Sequence, residues 1–198
     1  MKRKEQKKPV SDILNFIAEA GMLKRVQRSG WSVVGIKNAE SVAEHSFRCA
    51  VIGYILAYME GASPYRVLVM ALFNDMHEAR IGDLHKMAQR YIDLQPAEDK
   101  AFYEQIRHLP EKMRRELKKL RDEYRKQKTI ESIIARDADV LECLIQAREY
   151  LEHGFSEAGK FMKKAPKVLR TKSAKELWES AKDMGLNGWW LRFSEFRR

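Results

Sequence analysis

Long apolar runs are missing from this 198-residue chain. None approaches the roughly 20 residues that cross a bilayer, and the N-terminus carries no apolar core of the kind that directs secretion. No membrane partner is therefore expected. Cysteine is scarce: Cys49 and Cys143 stand alone, without CxxC spacing. A disulfide scaffold is excluded, and both thiols are expected as reduced core residues of a cytoplasmic protein. Strand alternation is absent too, so an all-α chain is expected. With no internal repeat or convincing linker, the reading is a basic tail over residues 1–9 and a single domain over residues 10–198.

What is present is an ordinary soluble composition, 44% hydrophobic and 33% charged, with a net charge of +10. The positive excess lies in residues 1–8, 107–128 and 160–175. It reads first as a solvated tail and solvated helix faces, and second as a surface that steers small phosphorylated molecules. Nucleic acid is the less favoured partner, because charge alone does not distinguish it from a nucleotide.

Helical periodicity organises the chain. Ser11 reads as the cap of a first helix with Ile13, Leu14, Ile17, Leu23 and Val26 inward. RSGWSVVGIKNAES reads as a loop. Ser41 and Glu44 form a capping-box pattern before a helix whose buried face would include Phe47, Val51, Tyr54 and Ile55. Ser63-Pro64 opens a third helix that runs into NDMHEA before Gly82 and Asp83. Further helices start near Pro96, after Pro110 and at Thr129, the last closed by Gly154. Trp178, Trp189 and Trp190 read as residues that seal a core.

Four polar positions fall on segments that otherwise read as core: His45, Asn74, Asp75 and Asp139. Burying such groups is unfavourable unless they are paired or bound to a metal. Nitrogen and oxygen donors from three separated helices can converge on one divalent cation. Glu78 lies one turn beyond Asn74, where a carboxyl could reach a water or leaving group. Asp83 follows Gly82 in the next turn and could order the ligands.

The blocks ESVAEHSFR, ALFNDMHEARIGD and ARDADVLECLIQAREY resemble the three signature blocks of HD-domain proteins. The chain is most similar to the 5′-deoxynucleotidase branch, which includes the YfbR-type enzymes and the HD-domain-containing-2-type proteins. LKRVQRSGWSVVGIKNAESVAEHS is similar to the arginine–tryptophan segment of that branch, and the resemblance covers roughly residues 20–152. It implies an all-α HD-domain helical bundle with additional C-terminal helices. It also implies a metal centre of His45, Asn74, Asp75 and Asp139 holding Mn²⁺, Mg²⁺ or Co²⁺, with Asp137 as a rival to Asp139. Glu78 and Asp83 match the family's catalytic carboxylates, and Arg28 and Trp31 its phosphate and sugar contacts. The implied substrate is a deoxyribonucleoside 5′-monophosphate, and the implied assembly a homodimer.

One position departs from the pattern. Asn74 stands where the family has the histidine of its doublet. An amide oxygen is a weaker donor than imidazole and tilts a site towards oxygen-preferring Mg²⁺ or Mn²⁺. His77, three residues on, is the candidate to compensate. The departure also keeps open a weak or inactive HD fold that binds a nucleotide without turning it over. A basic nucleic-acid-binding helical protein is the remaining alternative.

Overall fold

Capping chemistry starts the two helices on which the site is built. In the computed structural model, which describes residues 7–163 and 165–193, the Ser41 hydroxyl accepts from the Glu44 backbone N–H and the Glu44 carboxylate accepts from Ser41 N–H. This reciprocal box opens α2 (Val42–Met59). Thr129 and Ser132 form the same device at the start of α7 (Ile130–Glu152). Residues 1–6, which hold most of the expected basic tail, lie outside the described residues, as do residue 164 and residues 194–198.

The remaining helices are α1 (Lys7–Ala20), α3 (Pro64–Phe73), α4 (Glu78–Ile81), α5 (Leu94–Ile106), α6 (Glu111–Lys126) and α8 (Lys172–Ala181). The described residues contain no strand, only an isolated antiparallel bridge between Gln27 and Ser41. None of these helices is long and apolar enough to cross a membrane. The chain is all-α, as its periodicity implied.

The long helix α7 lies against α2, α3, α6 and α8. Its inner residues Ile134, Ala138, Leu141 and Leu144 meet Leu56, Val67, Met70 and Trp178 in the main core. A second core under α5 and α6 gathers Leu23, Val42, Met76, Phe102, Ile106 and Leu117. Gly53 marks the close approach of α2 to α3: a Cβ there would come within 2.9 Å of Val67 Cγ1.

That close packing explains a misread face. Phe47, Val51, Tyr54 and Ile55 are not buried but exposed, Phe47 by 68%. The inner face of α2 instead combines Val42, Ile52 and Leu56 with small and polar residues, among them His45, Ser46, Cys49, Gly53 and Ala57. Helix α2 is apolar almost all round, and the crossing of α3 and α7 selects the side with the smaller side chains.

Other expectations are corrected similarly. Helix α1 runs through Ser11, which is therefore no cap. It leaves Leu14 and Ile17 exposed while Phe16 stacks on Phe73. The expected loop before α2 contains a 3₁₀ helix over Ser29–Val34. Trp178 is core, but Trp189 and Trp190 are exposed.

Asp137, the rival to Asp139, has a different task. Its fully buried carboxylate accepts from Arg170 N–H (3.0 Å), Thr171 N–H and Thr171 Oγ1 (both 2.7 Å), and so ties the start of α8 to α7. Asp137→Ala would strand two backbone donors in the interior. It is expected to destabilise the protein by about 3 kcal/mol or more in denaturant melts, without changing metal uptake by the folded fraction. A loss below about 1 kcal/mol would show that the carboxylate does not hold this junction.

Candidate metal centre

His45 is the centre of the arrangement. Its ring is completely buried, at 0% exposure, because α2 turns it towards α7. Nδ1 faces the Glu142 carboxylate, which leaves Nε2 directed at Asp139 Oδ1 (3.2 Å) and Asp75 Oδ2 (3.6 Å). Glu142 is itself fully buried and receives Arg48, which also reaches Gln146 and Glu149. A carboxylate on the far ring nitrogen fixes the tautomer and makes Nε2 a better donor.

The other residues enter from separate elements. Helix α3 ends at Phe73, and the turn that follows carries Asn74 and Asp75. Asn74 Nδ2 donates to Asp75 Oδ1 at 2.7 Å. The Asn74 carbonyl accepts from Arg121 Nη1 (2.7 Å), so the buried arginine of α6 braces the turn. His77 sits with Nδ1 3.1 Å from that same carbonyl and Nε2 3.7 Å from Glu98. Its ring therefore supports the Asn74 turn, neither lying on the surface nor facing His45. The hydrogen bond from His77, with Arg125 beside it, holds the Glu98 carboxyl down to about 2.

Gly82 has φ +75°, a conformation that glycine adopts without strain, and the chain turns there so that Asp83 points back. Asp83 Oδ2 accepts from Ser29 N–H at 3.0 Å and lies 3.5 Å from Arg28 Nη1. Arg28 is thus anchored beside the acidic cluster. Burial opposes its charge, but Asp83, Asp75, Asp139 and Glu78 raise its pKa well above the ordinary value. Trp31 is 2% exposed, between Tyr150 (5.1 Å) and Phe161 (4.6 Å), and donates Nε1–H to Glu40 at 2.9 Å. Burial and the nearby Glu142 push the Glu40 carboxyl up to about 7.

All eight residues singled out from the sequence lie in one region: Arg28, Trp31, Asn74, Asp75, Glu78, Asp83 and Asp139 line a single cavity of about 950 Å³, with His45 adjoining through Asp75 and Asp139. That is the upper part of the range for small-molecule sites. Apolar residues including Met87, Ile92 and Phe161 share the walls. Glu142, Arg48, Arg136 and Arg121 were not singled out from the sequence. The signal for Glu142 was there, a charge inside the apolar run VLECLI of a core helix. Arg136 pairs with Asp139 Oδ2.

The electrostatics divide the carboxylates into two kinds. Burial opposes ionisation of Asp139, yet Arg136, His45 and Arg28 hold its pKa far below the usual range. Burial together with Asp75 and Asp83 pushes Glu78 up to about 10, so it keeps its proton at neutral pH. Its Oε2 is buried and has no hydrogen-bond partner among the described residues. The donor chemistry fits a divalent cation. Donors at about 2.0–2.2 Å from one ion stand about 3.0–3.5 Å apart, close to the His45–Asp139 and His45–Asp75 separations.

A family model described as HD domain matches residues 20–180. The human protein named 5′-deoxynucleotidase HDDC2 is 34% identical over 149 residues, 71% of this chain and 70% of its own length. Its namesake in Xenopus laevis is 32% identical over 82% of this chain and 85% of its own length. A solved structure described as a conserved hypothetical protein from Pyrococcus furiosus is 33% identical. It superposes with a TM-score of 0.72, covering 86% of this chain and 99% of that one.

The raised pKa of Glu78 carries a sign. The folded protein keeps a proton that the unfolded chain releases between pH 4.5 and about 10, so this carboxyl makes the metal-free protein less stable as pH rises. Glu78→Gln removes the penalty. Thermal melts of the metal-free variant should exceed wild type by several degrees at pH 8 and differ little at pH 5. Equal melting temperatures at pH 8 would mean that Glu78 is ionised there.

Proposed function

Since the chain belongs to the HD-domain family, we propose that it is a metal-dependent phosphomonoester hydrolase that releases phosphate from deoxyribonucleoside 5′-monophosphates. One observation carries this reading: His45 Nε2, Asp75 and Asp139 converge beside Arg28 in the 950 Å³ cavity. The names of the relatives support the substrate class.

His45, Asp75 and Asp139, with the amide oxygen of Asn74, would hold a divalent cation, for which Mn²⁺, Mg²⁺ and Co²⁺ are the candidates. When bound, it supplies Lewis-acid polarisation of the phosphoryl group and a water of lowered pKa. Arg28 presents a planar fork to phosphate oxygens, and Asp83 keeps that fork aimed into the cavity. Glu78 carries the proton that a departing nucleoside oxygen requires, a role matched to a carboxyl held neutral at pH 7. Trp31 forms a fixed wall against which a deoxyribose packs. Arg136 keeps Asp139 ionised and oriented.

The exposed face of α2 (Phe47, Val51, Tyr54, Ile55 and Tyr58) supports a homodimer, because a contiguous apolar stripe on one helix is what a two-fold partner covers. Both cysteines are free, which supports a cytoplasmic location where thiols stay reduced.

The assay is phosphate release from each 5′-dNMP and 5′-NMP with Mg²⁺, Mn²⁺ or Co²⁺. Deoxyribonucleotides should turn over faster than ribonucleotides. Asp139→Asn should lower kcat by at least about 10³-fold, and Arg28→Lys should raise KM about tenfold, the equivalent of about 1.4 kcal/mol. No release with any cation, together with nucleotide binding by calorimetry, would replace the enzyme with a nucleotide-binding HD fold, and recovery in Asn74→His would locate the cause. For the assembly, light scattering should give a dimer for wild type and a monomer for the double variant Phe47→Ser, Tyr58→Ser; an unchanged mass would move the interface elsewhere.

A further inference from the structure

One wall of the cavity has a chemistry that phosphate release does not use. After Gly82 and Asp83 the chain runs without regular structure to a short 3₁₀ turn over Ala88–Arg90. Leu84, His85, Lys86, Met87, Gln89 and Ile92 from this stretch all line the cavity. Its start is pinned, because Asp83 holds Ser29 and Arg28. The rest is braced from within. Gln89 Nε2 donates to the Leu84 carbonyl at 2.6 Å, and Gln89 Oε1 accepts from Lys86 Nζ at 2.8 Å. The carbonyls of His85, Met87 and Ala88 accept from the backbone N–H groups of Gln89, Arg90 and Tyr91.

These bonds consume acceptors and leave side-chain donors. The His85 ring is half-buried, and its Nδ1 accepts from Ala88 N–H at 3.2 Å. The neutral ring therefore carries its proton on Nε2, assigned from that hydrogen bond. Nε2 has no partner among the described residues. Lys86 adds a cation that meets no carboxylate among them. Beside these donors Leu84, Met87 and Ile92 supply apolar surface, and Met87 and Ile92 are about half exposed.

An apolar face with a fixed N–H at its margin suits a nucleobase. The phosphate end of a nucleotide would lie at Arg28 and the acidic cluster, and Asp83, which holds Arg28, precedes His85 by two residues. Thymine, uracil and guanine carry a carbonyl oxygen on the edge where cytosine and adenine carry an amino group. We propose that His85 is a specificity-determining residue whose Nε2–H donates to that carbonyl oxygen, so that the site prefers keto bases to amino bases. An amino group at the same place would set N–H against N–H and leave both donors without a partner in a cavity that excludes water. The inference rests on the deoxynucleotide reading of the cavity.

The experiment compares dGMP with dAMP and dTMP with dCMP on the full chain. Two readouts are used: kcat/KM for phosphate release with added cation, and calorimetric Kd in EDTA, where turnover is not required. Wild type should favour the keto member of each pair at least about fivefold. His85→Phe, which keeps a ring but has no N–H, should bring both ratios to within about twofold of one while changing the values for dAMP and dCMP little. Ratios near one or reversed in wild type would overturn the assignment and leave the hydrolase standing, and this needs no variant to fold. A His85→Phe chain that loses all four nucleotides in equal measure would overturn it as well, since His85 would then serve the phosphate or the loop. If wild type releases no phosphate with any cation, the hydrolase fails and the Kd ratios alone decide the role of His85. A chain that neither cleaves nor binds any of the four would overturn both readings together.

Discussion

An imidazole with no solvent exposure, set among carboxylates, is the constraint around which the rest of this protein is arranged. His45 loses its hydration on folding, and its neighbours Glu142, Asp75 and Asp139 lose much of theirs. Such a cluster is tolerable only if each charge is answered locally. Arg48 answers Glu142, Arg136 answers Asp139, and Arg28 faces Asp83 beside the whole group. The cationic residues that make the chain strongly basic are thus not all solvated ornament, since several neutralise a buried acidic centre. A bound divalent cation would supply the charge still missing.

The scaffold follows from that demand. Helices α2 and α7 supply His45 on one side and Asp139 and Glu142 on the other, and their small residues allow the close approach that brings these groups within contact. The turn after α3 brings in Asp75, and it is fastened from behind by Arg121 of α6 and by His77. The segment before α2 is held to Asp83 through Ser29 and Arg28, so this arginine and the acidic turn are placed by one another. Helices thus carry His45 and Asp139, while the connecting turns bring in Asp75, Asp83 and Arg28.

The same neighbours give two carboxyls opposite protonation states. Arg136 and His45 keep Asp139 ionised, fit to bind a cation. Burial beside Asp75 and Asp83 keeps Glu78 neutral, fit to deliver a proton. Environments that push carboxyl pKa values apart are a recurring way to obtain an acid and an anion from one chemistry.

Much of this was legible in the amino-acid order. Polar residues in otherwise apolar segments pointed to His45, Asn74, Asp75 and Asp139, and the family resemblance added Arg28 and Trp31 to the cluster that the fold brings together; Ser41, Glu44 and Thr129 located the starts of the two principal helices, because capping is local chemistry. What the order could not convey depended on which helix faces meet. The stripe Phe47–Val51–Tyr54–Ile55 reads as core by periodicity, yet it faces outward, since the close approach of α2 to α3 and α7 at Gly53 turns the face of Cys49, Gly53, Leu56 and Ala57 inward. Asp137 and Asp139 are two residues apart and indistinguishable by type, but the helical rotation between them sends one to the α8 junction and the other to His45. Glu142 drew no notice. Only tertiary packing placed it at the ring of His45, because a contact across 97 residues of chain leaves no local pattern.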